Sequence, residues 1–393
     1  MTQSHAEVNS VPLLDVSRSN TPLREEILEA LAAVYDSGRF LHGPEVSALE
    51  QHVSELCNVQ HAVGCASGSD ALLLALMANG IGPGDEVILP SFTFFATASC
   101  VSRVGAKIVF ADIDPATYNI SPAAIESLIT PRTRAVIPVH LFGQSAKMDE
   151  ISKIAGRHDI QVIEDAAQAI GAAYHGRPVG SWGQIGCISF YPTKNLGGFG
   201  DGGMLTTQSE TVADKLRLFA AHGMQPRYHH REIGINSRLD TFQAAALLVK
   251  IQHLAKYTAD RQANAARYFE LFAEHGLSEP RDGGAVQLPY QDPAAFHVWN
   301  QFSLRVSEGR RDDLRKYLTD RKIGSEIYYP IPLHQQACFR ELGYTAGSLP
   351  QTEQAAREIL HLPIYPELTE AEQVLVVETI AKYYREAYQR SAA

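Results

Sequence analysis

Between residues 61 and 190 short runs of β-branched and apolar residues alternate with stretches of helical period, and this alternation restricts the architecture more than any other feature. Strands are predicted at residues 61–66, 86–90, 107–112, 134–140, 161–165 and 186–190. Helices are predicted at 69–79, 94–104, 122–129 and 148–158. Such alternation builds an α/β unit with a mostly parallel central sheet, since each helix carries the chain back to start the next strand in the same direction. The strand runs are apolar almost throughout, as a sheet flanked by helices on both faces requires. In such a sheet ligand groups gather at the strand C-terminal ends.

Flanking segments complete the plan. Thr21-Pro22 opens a helix, with threonine as its cap and proline at its first position. Leu23, Ile27, Leu31 and Val34 then recur at helical spacing, and Gly38 ends the run. Val46, Leu49, Val53 and Leu56 repeat the pattern. After residue 240 come helical runs at 241–257 and 260–275, a strand at 297–306, and helices at 310–321 and 370–391. Residues 279–295, rich in Gly, Pro and Asp, read as a loop. The expected organisation is a large α/β unit over residues 1–255, including an N-terminal arm, and a smaller α+β unit over 256–393.

Composition removes several function classes. Lys and Arg number 34 against 44 Asp and Glu, a net charge of −10, and no basic run stands out; neither nucleic acid nor an anionic membrane is an expected partner. None of the five cysteines forms C-x-x-C, so no zinc knuckle or disulfide framework is suggested and a reducing compartment fits. The first twenty residues lack an apolar signal core, and the longest apolar run, 71–78, is too short to span a bilayer. A cytoplasmic enzyme or binding protein is the expectation.

Four segments carry candidate chemistry. Glu164-Asp165-Ala166-Ala167-Gln168 ends a strand in an acid, which suits a ligand or, equally, a helix cap. Lys194 follows an apolar strand and precedes Gly197-Gly198-Phe199-Gly200-Asp201-Gly202-Gly203. A lysine enclosed there would lose proton affinity and become a usable amine, whereas a lone lysine is more often a solvated charge. The glycines open no helix in a βαβ unit, and the lysine precedes them, so neither a dinucleotide fingerprint nor a P-loop is present. Ser67-Gly68-Ser69-Asp70 joins a strand to a helix and offers free amides to an anion, or is an ordinary turn capped by Ser69 or Asp70. Phe92, Phe94 and Phe95 follow another strand end, as a stacking plate or as core. Acid, lysine, anion turn and aromatic plate converge on one sheet edge. Pyridoxal phosphate needs that set: an amine to bond its aldehyde, an acid to keep its ring nitrogen protonated, amides for its phosphate and a face to cover its ring.

At these residues the sequence resembles the sugar aminotransferases of the DegT/DnrJ/EryC1/StrS group, from Ser37-Gly38-Arg39-Phe40 to Leu362-Pro363-Ile364-Tyr365-Pro366. The resemblance implies fold type I and pyridoxal 5′-phosphate as cofactor. It gives Asp165 the pyridine nitrogen, Gln168 the ring hydroxyl, Lys194 the covalent bond, Phe94 the ring face, and Gly68, Ser69 and Ser189 the phosphate. Gly234-Ile235-Asn236-Ser237-Arg238-Leu239-Asp240 looks like the family segment whose Asn, here Asn236, reaches the phosphate in the neighbouring subunit, implying a homodimer with shared sites. Tyr328, Tyr329 and His334 match a substrate-side segment, and Arg238 falls with them among the substrate-binding candidates. Substrates implied are a nucleotide-linked keto sugar and an amino acid, L-glutamate, which leaves as 2-oxoglutarate. Tyr191 beside the lysine segment resembles members that aminate C3; those acting at C4 more often carry His there. A dehydratase of the same fold has His in place of the lysine, so Lys194 speaks against that alternative, and the retained Lys194, Asp165 and Gln168 speak against a non-catalytic regulator. His229, His230 and Glu232 are close in sequence but read as a solvated loop and not as a metal site.

Overall fold

The computed structural model describes residues 8–277, 286–307 and 309–391. Five strands follow the expected alternation: β1 (His61–Cys65), β2 (Glu86–Pro90), β3 (Lys107–Ala111), β4 (Thr133–Val136) and β5 (Gln161–Asp165). A short hairpin, β6 (Ala173–Tyr174) and β7 (Arg177–Pro178), leads to β8 (Ile185–Ser189) and β9 (Gly203–Thr207). The central sheet has the order β1-β9-β8-β5-β4-β2-β3. Pairings from β8 to β3 are parallel, and β9 alone runs antiparallel to both neighbours. β1 therefore points the same way as β8, and the C-terminal ends of β1, β2, β5 and β8 share one edge.

Helix Gly68–Ala78 explains the longest apolar run. Its residues Ala71 to Leu76 are all buried, because the helix lies between the sheet and the helices Phe95–Arg103 and Glu210–Ala220. Asp15, not Thr21, provides the first N-terminal cap, accepting from the Ser17 amide; Thr21 turns its hydroxyl back to the Ser17 carbonyl at 2.8 Å.

The C-terminal part carries an antiparallel sheet of β10 (Val286–Gln287), β12 (Phe302–Val306) and β13 (Ile359–Leu362), in the order β10-β12-β13. Within the expected loop, β10 and β11 (Ala295–Phe296) are short strands, and β11 pairs with β6; residues 278–285 of that loop lie outside the described residues. The two helical runs expected after residue 240 part at Gln252–His253 and not at residues 258–259, giving helices Thr241–Ile251 and Leu254–Glu274. Leu254 packs among the helices of the central sheet, whereas Ala265, Tyr268, Leu271 and Phe272 join the C-terminal core. That core also takes Phe92, Leu141 and Phe142 from the loops at the strand ends, and Val11 from the N-terminal arm, which pairs with Ile323. The C-terminal core thus reaches the loops at the strand ends of the central sheet.

Candidate active site

Asp165 closes β5 and is 5% exposed. No helix follows it, so the cap reading does not apply. One carboxylate oxygen accepts from the Thr97 hydroxyl at 2.8 Å, and the other accepts from the Ala167 amide at 3.2 Å. Burial raises its pKa, opposed first by Thr97, then by the Ala167 amide and by the attraction of Lys194. Thr97 lies just two residues past the aromatic run that ends at Phe95, but nothing in that run points to its hydroxyl, which pairs with Thr93 one helical turn earlier at 3.1 Å. On the other face of β5, Glu164 is fully buried and accepts from the amides of Gly180, Trp182 and Gly183 and from His140 Nε2. His140 Nδ1 accepts from the Ala146 amide, so Nε2 carries the ring proton and donates. The His140 backbone amide in turn bonds the Asp165 carbonyl at 3.0 Å. Glu164 and His140 thereby fix the strand end from which Asp165 projects.

Lys194 sits in the turn after β8, where its amide bonds the Tyr191 carbonyl at 2.9 Å. Burial lowers its ammonium to about 8, partly offset by attraction to Asp165. The structure therefore brings lysine and acid into electrostatic contact at one sheet edge. The turn is held from several sides. Asn195 donates to the Val298 carbonyl at 2.9 Å and accepts from Asn300 at 3.0 Å. Gly197 is forced by geometry: a Cβ there would lie 2.3 Å from the Pro192 carbonyl oxygen. The Phe199 amide bonds the Gln243 side chain at 2.8 Å.

The turn after β1 opens helix Gly68–Ala78. Its cap is Ser67, whose hydroxyl accepts from the Asp70 amide, and not Ser69 or Asp70. The amides of Gly68 and Ser69 lie in the first turn of the helix, where no intrahelical acceptor exists. A Cβ on Gly68 would lie 2.7 Å from the Ser189 Cβ, so only glycine lets the anion turn and the end of β8 meet. The buried Ser237 hydroxyl, which carried no sequence signal of its own, accepts from the Ala66 amide at 3.1 Å and steadies this turn.

Phe92 is core at 1% exposed, whereas Phe94 is 57% exposed and bare enough to cover a planar group. The Phe94 and Tyr329 rings lie 6.3 Å apart. Gln168 accepts from the Phe142 amide at 2.8 Å and donates to the Tyr329 hydroxyl at 3.2 Å. Burial, with Gln168 opposing it, drives the Tyr329 phenol upward. Tyr328 packs against His361, with ring centres 5.0 Å apart. His334 has a different setting from the substrate-facing one expected. It is 2% exposed, with Nδ1 2.7 Å from the Ser91 hydroxyl and Nε2 3.3 Å from Glu353. Both ring nitrogens are engaged within the chain, so His334 ties the segment after Tyr329 to the end of β2. Asn236 is exposed and accepts from Arg238, and neither is brought against Lys194 or Asp165 by any hydrogen bond among the described residues. His229, His230 and Glu232 are exposed, and no group of three or more metal-ligating side chains is arranged for a metal among the described residues.

An amine near neutrality, a buried carboxylate held by two donors, free helix-start amides pressed on a serine, and an exposed ring fit pyridoxal 5′-phosphate. That set defines a pyridoxal-phosphate enzyme. The sequence matches the DegT/DnrJ/EryC1/StrS aminotransferase family over residues 22–381, and the chain belongs to that family. It is similar to a pleiotropic regulatory protein of Geobacillus stearothermophilus, 48% identical over 96% of this chain and 99% of that one. It is 46% identical to the UDP-N-acetyl-3-dehydro-alpha-D-glucosamine 3-aminotransferase of Acidithiobacillus ferrooxidans, over 97% of this chain and 99% of that one. Among solved structures, DesV of S. venezuelae in complex with a ketimine intermediate has a TM-score of 0.91 at 41% identity, covering 96% of this chain and 99% of that one. NtdA of Bacillus subtilis with bound cofactor PMP has a TM-score of 0.88 at 33% identity, covering 97% and 87%. The fold is that of the pyridoxal-phosphate aminotransferases, and the chain is an enzyme of that class.

Proposed function

We propose that this enzyme transfers an amino group from L-glutamate to the ketone of a nucleotide-linked 3-keto sugar, releasing 2-oxoglutarate, in two half-reactions at one site. The observation that carries it is the placement of Lys194 in the turn after β8, beside the buried Asp165 that ends the neighbouring parallel strand β5, each within electrostatic reach of the other. The name of the Acidithiobacillus relative supports the 3-keto position and the nucleotide sugar.

Bound pyridoxal phosphate supplies an electron-withdrawing ring that stabilises negative charge on the donor carbon as it loses its proton. Asp165 holds a proton on the ring nitrogen, and Thr97 with the Ala167 amide keeps its carboxylate aimed there. Lys194 would hold the cofactor through its amine, and that amine would move a proton at the donor's α-carbon. Burial lowers its ammonium to about 8, which favours the neutral amine over that of a solvated lysine. The Gly68 and Ser69 amides and the Ser189 hydroxyl anchor the phosphate, Phe94 covers one face, and Gln168 faces the ring hydroxyl while restraining Tyr329. Asn236 completes the phosphate site from the second copy of a homodimer; Tyr328, Tyr329 and Arg238 border the sugar.

A reverse-reaction screen tests this reading. UDP- and dTDP-linked 3-amino and 4-amino sugars are incubated with 2-oxoglutarate, and glutamate is measured. Glutamate from 3-amino sugars is expected; turnover of 4-amino sugars alone moves the site of amination, and none with either class removes the reading. The name of the Geobacillus relative favours a second reading, a regulator. That reading predicts cofactor binding with no spectral change on adding glutamate.

A further inference from the structure

A second lysine, more deeply buried than Lys194, lies behind the turn that carries it. Lys250, near the end of helix Thr241–Ile251, is 7% exposed, and its ammonium donates to the Gly197 carbonyl. It also lies 5.5 Å from the centre of the Phe199 ring. Its charge is attracted by Glu367, which accepts from the Ser19 hydroxyl at 2.7 Å and also faces Arg261, Tyr257 and Tyr365. Burying a cation against a single carbonyl is costly, and burial lowers this ammonium to about 8. No step of the chemistry above uses it.

What the ammonium grips is the turn that carries Lys194. Gly197 sits flush on the Pro192 carbonyl, and the Gly198 amide bonds the Phe190 carbonyl at 2.8 Å. A shift of Gly197 is therefore passed to Pro192 and on to Lys194. Gln243, two turns earlier on the same helix, bonds the Phe199 amide, so one rigid helix holds the turn at two points.

We propose that Lys250 is a positioning residue for the covalent attachment of pyridoxal phosphate, pinning the Gly197 carbonyl so that the Lys194 amine meets the cofactor aldehyde. This rests on the reading of Lys194 given above. The test uses holoenzyme of wild type, Lys250→Met, Lys250→Gln and Lys250→Arg. Its readouts are the pH midpoint of the visible cofactor band, the rate of cofactor loss on dialysis, and the melting temperature. The uncharged variants are expected to lose cofactor about tenfold faster, the worth of one charge-assisted hydrogen bond, and to shift the band midpoint by about one pH unit. Lys250→Arg is expected to recover most of both. A role in folding alone lowers the melting temperature and leaves midpoint and retention unchanged, which overturns the proposal. So does failure of both uncharged variants to fold alongside a normal arginine variant. A wild type with no visible band at all refutes the reading of Lys194 instead, which keeps the two failures distinct.

Discussion

The role proposed for Asp165 requires an anion beside a protonated ring, yet burial pushes its pKa up. Thr97 is the strongest single opposing contact, and losing a hydrogen bond to a charged group costs about 1.5–3 kcal/mol. Thr97→Val is expected to lower kcat by roughly ten- to a hundredfold at saturating cofactor, with a near-normal melting temperature. Kinetics beside calorimetry check this, and an unchanged kcat would remove Thr97 from the site. Lys194 gives a pH prediction of definite sign. Only the neutral amine attacks the aldehyde, so cofactor capture by apoenzyme should rise with pH and level off above about 8. A stopped-flow series reads it; a rate still climbing through pH 10 would describe a solvated lysine. At this scale the sequence was partly legible. Asp165 and Lys194 stand at recognisable strand ends. Thr97 was not legible because its role depends on the first turn of helix Phe95–Arg103 reaching the end of β5, a tertiary fact without local pattern. The setting of His334 was hidden for the same reason: nothing local says that Ser91 and Glu353 close over its ring.

Among elements, the turns after β1 and β8 depend on each other, because Gly68 and Ser189 approach more closely than a side chain allows. Gly68→Ala is expected to destabilise by about 1–3 kcal/mol and to weaken cofactor binding, read by melting and by fluorescence titration. Normal affinity in that variant would separate the turn from the phosphate site. The parallel strands were legible because each is an apolar run bounded by turn residues. β9 was not, since it begins at Gly203 within a glycine-rich stretch, and its five buried residues are recognisable as a strand only once β1 and β8 flank it. β4 ends at Val136, short of the predicted 140, because Pro138 has no amide to donate; the chain rejoins β5 through the Val139–Asp165 bridge.

The molecule as a whole leaves Asn236 exposed and Arg238 half-buried, neither with a hydrogen bond to its own Lys194 or Asp165 among the described residues, as a residue serving a neighbouring copy would be. The proposed sharing of sites in a homodimer makes a quantitative prediction. Mixing inactive Lys194→Ala and Asn236→Ala homodimers should restore about a quarter of wild-type activity, since half the dimers are mixed and each has one intact site. No recovery after subunit exchange, confirmed by mass photometry of tagged copies, would place Asn236 outside a shared site. The central claim is the covalent bond at Lys194, and the chain offers a built-in control because Lys250 is also buried and also lowered to about 8. Holoenzyme reduced with borohydride and digested should carry the cofactor mass on the peptide containing Lys194 and on no other; the mass on Lys250, or on no lysine, would contradict it.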